Sequence, residues 1–347
     1  MSFPFFAGRA SGRTASARRN TAVIPVFLPF FGCGHRCIFC AQHAQTGQGE
    51  APLADILDAA DRRLAHRAEA GLPPPELAFY GGTFTAMPPR EQTACLEFAA
   101  RALGQKRIRA FRCSTRPDAV DAAALSRLRA AGCATVELGV QSFSDFALGA
   151  SERGYGPDVA AAACARVKAA GFALGVQLLP GMPGVSPTVF LEDVRSALRA
   201  GADMLRFYPC LVLSGTKLAG LWRAKTFQPW DIDACIAALA EGWLLAGEAG
   251  VPVIRMGLAQ EPALAGAVLA GPAHPALGAR VMGRALLLHV ARYAKNQPLA
   301  GVDLPRACQG YFWGHKGELR REWAALGVTP ETVYFTNEDA FRLHSRL

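Results

Sequence analysis

Between residues 23 and 209, short β-rich runs alternate with alanine-rich stretches of helical spacing, and this alternation constrains the fold more than any other feature of the chain. Strands are expected at 24–30, 76–80, 108–114, 135–139, 173–179 and 204–209. Helices are expected between them, over 51–70, 89–103, 121–131, 157–170 and 187–200. Several of these helices run into an Ala-Gly stop, at Gly71, Gly132, Gly171 and Gly201. The pattern is that of a parallel α/β sheet built from six β/α units.

The repeat ends near Tyr208. A loop over 210–230 leads to an expected helix at 232–249 and a strand at 251–256. Residues 257–283 are irregular and carry Gly and Pro throughout, before a helix at 284–294 and a mixed basic tail. No second complete domain is expected. The division is a flexible basic arm over 1–20, a core barrel over 21–230, and a C-terminal extension over 231–347 that closes the barrel's open side. At 51% hydrophobic and 19% charged, the chain has ample apolar surface for a core, which excludes global disorder. Apolar runs such as 285–291, flanked by Arg284 and Arg292, fall far below the ~18 residues needed to cross a bilayer, so no membrane association is expected.

Three of the ten cysteines, Cys33, Cys37 and Cys40, lie within eight residues. The other seven are scattered among apolar neighbours and read as small buried hydrophobes. This usage suits a reducing cytoplasm. The cluster directly follows the first expected strand, at the C-terminal end where barrel sites are built. Thiolates this close bind a soft metal, either zinc or iron–sulfur. A zinc knob completed by His43 or His35 is one reading, and a [4Fe–4S] cluster on three irons with the fourth iron open is the other. Phe39, just before the last cysteine, can shield a cluster or stack on a nucleoside.

The spacing CxxxCxxC with an aromatic before its last cysteine, at the first strand of a β/α array, resembles the radical S-adenosylmethionine (SAM) superfamily. Tyr80-Gly81-Gly82-Thr83-Phe84, ending the second strand, is similar to that superfamily's glycine-rich motif, whose backbone meets the methionine amino group. Glycine is expected there because backbone must approach a ligand with no Cβ in the way. Three further segments, Ser114-Thr115-Arg116-Pro117-Asp118, Glu137 to Ser142, and Leu205 to Pro209 followed by Ser214 to Leu218, resemble the radical SAM domain of the Elongator catalytic subunit and its smaller bacterial relatives. The Gly-Val-Gln-Ser-Phe part is shared with the coproporphyrinogen oxidase group. The chain departs from the Elongator pattern in its narrower first cysteine interval, in Ser114, and in having only ~115 residues after Trp230. No acetyltransferase half is expected.

The resemblance implies a partial (β/α)6 TIM-like barrel, a [4Fe–4S] cluster on Cys33, Cys37 and Cys40, and reductive cleavage of SAM to a 5′-deoxyadenosyl radical. It also implies cofactor contacts from Phe39, Gly81, Gly82 and Thr83. Arg116 is expected to fork onto the SAM carboxylate, Gln141 to meet ribose hydroxyls or substrate, Gln177 to contact the ribose or cofactor, and Tyr208 to shape the substrate cavity. Glu137 stays unassigned. His274 and His315 read as turn residues.

An electron donor such as flavodoxin or ferredoxin is implied as partner. The substrate stays open between an RNA, tRNA foremost, and a porphyrin-like or small molecule; a non-catalytic zinc-stabilised RNA-binding protein is the reading from another class. The net charge of +9 favours RNA. It resides in Arg9, Arg13, Arg18 and Arg19, contributing +4, and in residues 280–316, where six basic residues against Asp303 contribute +5. The acid-free start lacks the apolar core of a secretory leader, and an organellar transit peptide is the weaker alternative.

Overall fold

The computed structural model describes residues 2–4, 22–47, 49, 51–259, 261–294, 298–338 and 340–345. Strand β1 (Ser2–Pro4) comes first in the chain. The α/β array then runs β2 (Val23–Phe27), α1 (Gln42–Thr46), α2 (Leu53–Glu69), β3 (Glu76–Tyr80), α3 (Pro89–Gly104) and β4 (Ala110–Thr115). It continues through α4 (Ala122–Ala130), β5 (Cys133–Gln141), α5 (Asp145–Ala150), α6 (Pro157–Ala169), β6 (Ala173–Leu178), α7 (Pro187–Arg199) and β7 (Met204–Phe207). The short strand β8 (Val212–Leu213), α8 (Lys217–Arg223), α9 (Ile232–Glu248) and β9 (Val253–Met256) complete it.

All six expected strands are present, and β9 joins them as a seventh. The sheet order is β2-β3-β4-β5-β6-β7-β9, with every neighbour parallel. Because β2 and β9 are both edges, the sheet curls into a half-barrel and does not close. Residues 135–140 of β5 are buried on both faces, as a central strand between an interior and a helical layer must be. Local chemistry supports the crossovers. Asp121, Ser144, Ser186 and Asp231 each cap a following helix through a side-chain oxygen, and each of the four predicted Ala-Gly stops ends in a glycine of positive φ.

The first strand stops at Phe27, three residues short of expectation, because Phe30 turns to a φ of 61° and leaves the ladder. Residues 257–283 are less irregular than expected. They hold α10 (Pro262–Ala267), β10 (Val268–Ala270), which pairs with β8, and the first turns of α11 (Leu277–Ala294). Helix α10 packs on α1, carrying this segment across the mouth of the barrel.

Beyond α11 come β11 (Leu299–Pro305), α12 (Arg320–Ala325), β12 (Val333–Thr336) and β13 (Ala340–Ser345). Together with β1 these strands form a separate sheet in the order β1-β13-β11-β12. Trp323 stacks on Phe312 at 4.3 Å and donates to its carbonyl at 2.9 Å, and both belong to a core continuous with that of the barrel. Residues 2–4 of the expected basic arm are thus a strand, while Arg9, Arg13, Arg18 and Arg19 lie outside the described residues. Among the described residues no helix is long and apolar enough to cross a membrane.

Candidate cofactor site

A cavity of about 590 Å³ opens at the C-terminal ends of the parallel strands. Cys33, Cys37, Phe39 and Cys40 reach it from the loop after β2, and Gly81 and Gly82 from the turn after β3. Arg116 follows β4, Gln141 ends β5, Gln177 lies on β6, and Tyr208 follows β7; all four line the same space. Thr83 is the exception. It is buried behind the wall, with Oγ1 3.4 Å from Cys33 Sγ and its backbone N–H donating to Phe31 O at 2.7 Å.

The cysteine loop is held by the glycine turn. A Cβ on Gly82 would stand 2.2 Å from Phe31 O, and one on Gly32 would stand 2.3 Å from Thr83 O, so only glycine lets these two chain segments interlock. The tight contact at Gly82 is between two pieces of backbone, a reason for glycine beyond the expected approach of a ligand. The far side of the loop is braced by α8, whose Leu218 N donates to Ile38 O at 2.9 Å while Thr216 caps the helix. Burial, reinforced by the neighbouring Cys37 and Cys33, pushes the Cys40 thiol up to about 12, so it remains protonated until a cation takes the proton's place.

Arg153 was not expected at the site. It lies in the loop after α5 and is buried, with Nη1 2.8 Å from Cys37 Sγ and Nη2 donating to Gly139 O at 2.6 Å and to Tyr155 OH at 2.7 Å. A sulfur, a carbonyl and a phenol are its partners, with no carboxylate among them in the described residues. Arg116 is differently placed. Its Nε and Nη2 already engage Asp118 at 2.9 and 2.7 Å, and Nη1 stands 3.6 Å from Cys37 Sγ. Its fork is therefore filled from within the chain.

Gln141 sits at a bulge in β5 with a φ of 74°, a conformation costly for a side chain with a Cβ, and its Oε1 is buried without a partner among the described residues. Its neighbour Ser142 is anchored instead, with Oγ donating to Asp193 at 2.7 Å beside the Phe143 N–H, also at 2.7 Å. Deeper in the barrel a second polar layer begins. Glu137 pairs with Arg112 at 2.9 Å and Arg206 at 2.6 Å, Glu76 pairs with Arg112 at 2.5 Å, and Arg206 also bonds Tyr80 and, at 2.9 Å, Tyr208.

The residues present fit an iron–sulfur cluster and an anionic ligand. Three thiols share one cavity wall, a buried guanidinium beside them lacks a carboxylate, and a buried amide oxygen lacks a donor. Among the described residues no three His, Cys, Asp or Glu groups converge on one point as the ligands of a single ion do. A four-iron cluster instead takes each of its thiolates on a separate iron, so three thiols need not converge on one point.

Comparison with known families agrees with this geometry. Residues 27–197 match the radical SAM superfamily and residues 202–285 match its C-terminal domain. The chain belongs to the radical SAM superfamily. That membership carries with it a [4Fe–4S] cluster and SAM as cofactors, and the character of an enzyme.

Among curated proteins, this radical SAM chain is 26% identical over 260 residues to a tRNA uridine(34) acetyltransferase of Methanocaldococcus infernus, covering 64% of this chain and 49% of the relative. It is 29% identical over 263 residues to the protein of that name from Dehalococcoides mccartyi, covering 66% and 56%. The chain thus spans about half the length of these relatives. Among solved structures, the archaeal Methanocaldococcus infernus Elp3 with an N-terminal deletion shares the fold, with a TM-score of 0.58 and 22% identity over 79% of this chain and 62% of that one.

Proposed function

We propose that this chain binds SAM at a three-cysteine [4Fe–4S] cluster, cleaves it reductively, and uses the product to modify an RNA, tRNA foremost. The observation that carries the reading is the meeting of Cys33, Cys37 and Cys40 with the uncompensated guanidinium of Arg153 in one cavity. When bound and reduced, the cluster supplies the electron that breaks the sulfur–C5′ bond of SAM and so generates the 5′-deoxyadenosyl radical.

The chain's own residues do the rest. Cys33, Cys37 and Cys40 hold three irons and leave one coordination position for a ligand. Arg153 joins Arg116 as a cationic anchor for the SAM carboxylate, because its N–H groups are held by neutral oxygens and the Cys37 sulfur while the charge of Arg116 is balanced by Asp118. The backbone of the Gly81–Thr83 turn meets the methionine end. The orphaned Oε1 of Gln141 accepts a ribose hydroxyl, and Gln177 presents a second amide one strand away. Phe39 and helix α10, packed on α1 at the mouth of the barrel, keep water from the reacting centre.

The relatives' printed names support a tRNA substrate. Acetyl transfer is no part of the proposal. Of the basic segment over 280–316, Arg280, Arg284 and Arg292 are paired with Glu318, Glu322 and Glu241, so the formal charge overstates what is free for phosphate. The interior arginines are likewise neutralised by Glu76 and Glu137, which argues against a polycarboxylate such as a porphyrin in the barrel. Flavodoxin or ferredoxin is the proposed source of the electron.

The test is anaerobic reconstitution followed by reduction with and without total tRNA. About four irons per chain and tRNA-stimulated release of 5′-deoxyadenosine are expected. Stoichiometric zinc with no reconstitutable iron refutes the cluster, and tRNA binding that ignores salt refutes the RNA.

A further inference from the structure

Where β2 and β3 part at the mouth of the barrel, two backbone donors leave the ladder. Leu28 N still reaches Tyr80 O at 2.7 Å, but Phe30 and Gly82 both turn to a φ of 61°. A single atom recovers both of their N–H groups: Oε1 of Gln42 accepts from Phe30 N at 2.7 Å and from Gly82 N at 2.8 Å. Gln42 opens α1, two residues beyond Cys40, and its Nε2 stands 4.0 Å from Cys33 Sγ. One side chain therefore touches the end of the first barrel strand, the glycine turn and the first cysteine. Thr46 Oγ1 bonds the Gln42 carbonyl at 2.8 Å and steadies the short helix that carries it.

We propose that Gln42 is a positioning residue: its amide oxygen sets the glycine turn against the cysteine loop, and its amide nitrogen donates toward the Cys33 sulfur. The proposal rests on the reading of this cavity as a cluster and SAM site. The residue type follows from the two tasks. A methionine of similar length fills the space but accepts nothing, which strands two half-buried N–H groups and frees the turn to shift. A glutamate still accepts from both N–H groups, yet it replaces the donor that faces sulfur with a negative oxygen. Donors aimed at a ligating sulfur favour the reduced cluster, and negative charge there disfavours it.

The experiment compares reconstituted wild-type protein with Gln42→Met and Gln42→Glu. It reads iron per chain, the SAM dissociation constant from the change SAM makes in the electron paramagnetic resonance of the reduced cluster, and the cluster's reduction potential. Gln42→Met is expected to keep its iron and to bind SAM about ten-fold more weakly or worse. Gln42→Glu is expected to bind SAM within about three-fold of wild type and to shift the potential negative. Unchanged SAM affinity in an iron-replete Gln42→Met protein overturns the proposal. If that variant takes up no iron, Gln42→Glu decides: an unshifted potential overturns the role at Cys33, and a negative shift with retained affinity supports both parts. A wild-type protein that carries the cluster but shows no SAM-dependent spectral change overturns the underlying site assignment as well.

Discussion

Two polar layers lie one above the other inside the half-barrel, and they differ in how completely they are paired. In the lower layer Glu76, Glu137, Arg112 and Arg206 set two carboxylates against two guanidinia, with Tyr80 and Tyr208 taking further donors. In the upper layer the Arg153 guanidinium has no carboxylate, the Gln141 oxygen has no donor, and three thiols face one space. The charges of the lower layer balance within the chain and those of the upper layer do not, and because a buried uncompensated group costs free energy, the upper layer suits a ligand. The lower layer holds the strands in register; the upper layer awaits its cofactors.

The sharpest break in that comparison comes from the upper layer. Cys37→Ala should reduce iron per chain from about four to near zero after reconstitution, with the circular dichroism of the fold retained. A variant that still assembles a full cluster would mean that the thiols are not its ligands.

The lower layer should respond in the opposite sense, through stability. Glu137→Gln leaves Arg112 and Arg206 facing a neutral amide in the barrel interior, where removing one partner of a buried ion pair costs about 3–5 kcal/mol. Urea unfolding of the metal-free protein measures the loss. A variant as stable as wild type would show that the network contributes nothing to the fold.

Asp193 ties the segment after β5 to helix α7 behind it, and its effect depends on pH. Burial pushes its carboxyl up to about 6, against the two hydrogen bonds from Ser142 and Phe143 that favour the charged form. Because the folded-state value is raised, the proton is held more tightly in the native state. This group's contribution is therefore fully present below about pH 4 and is lost as pH rises to about 6, a change of roughly 3 kcal/mol. Asp193→Asn removes that dependence. The stability difference between variant and wild type should grow in the variant's favour from pH 4 to pH 6.5 and then level off, as read from unfolding curves across the series. A pH-independent difference would place the carboxyl in its ordinary range.

What the sequence disclosed about these layers follows the range of the interactions. Cys33, Cys37 and Cys40 were legible because their spacing is local, and the strands because alternation repeats within each unit. Arg153 was not, since nothing in Ser151 to Tyr155 signals that the loop folds back onto Cys37, 116 residues earlier. Gly82 was found for an incomplete reason: its tight neighbours belong to the cysteine loop, and only the folded chain brings Phe31 O within 2.2 Å of its missing Cβ. The basic segment misled through summation, because Arg284 and Glu322 stand 38 residues apart and Arg292 and Glu241 stand 51 apart. The second sheet was hidden by the longest separation of all, with Ser2 opposite Arg342.

The smallest expected effect tests the upper layer most finely, because it should move binding and leave stability alone. Gln141→Leu removes an amide whose oxygen has no partner in the protein, while its volume and the bulge that carries it are nearly kept. If the oxygen is reserved for a ribose hydroxyl, SAM binding weakens by about 1 kcal/mol, roughly five- to ten-fold, at full iron content. The melting temperature should hold or rise, since a buried unsatisfied acceptor is replaced by apolar surface. Lost stability with unchanged SAM affinity would move Gln141 to the lower layer's class, as a structural group whose partner is another part of the chain. Weakened binding at undiminished stability would keep the two layers distinct, in a strand that carries Glu137 in one and Gln141 in the other.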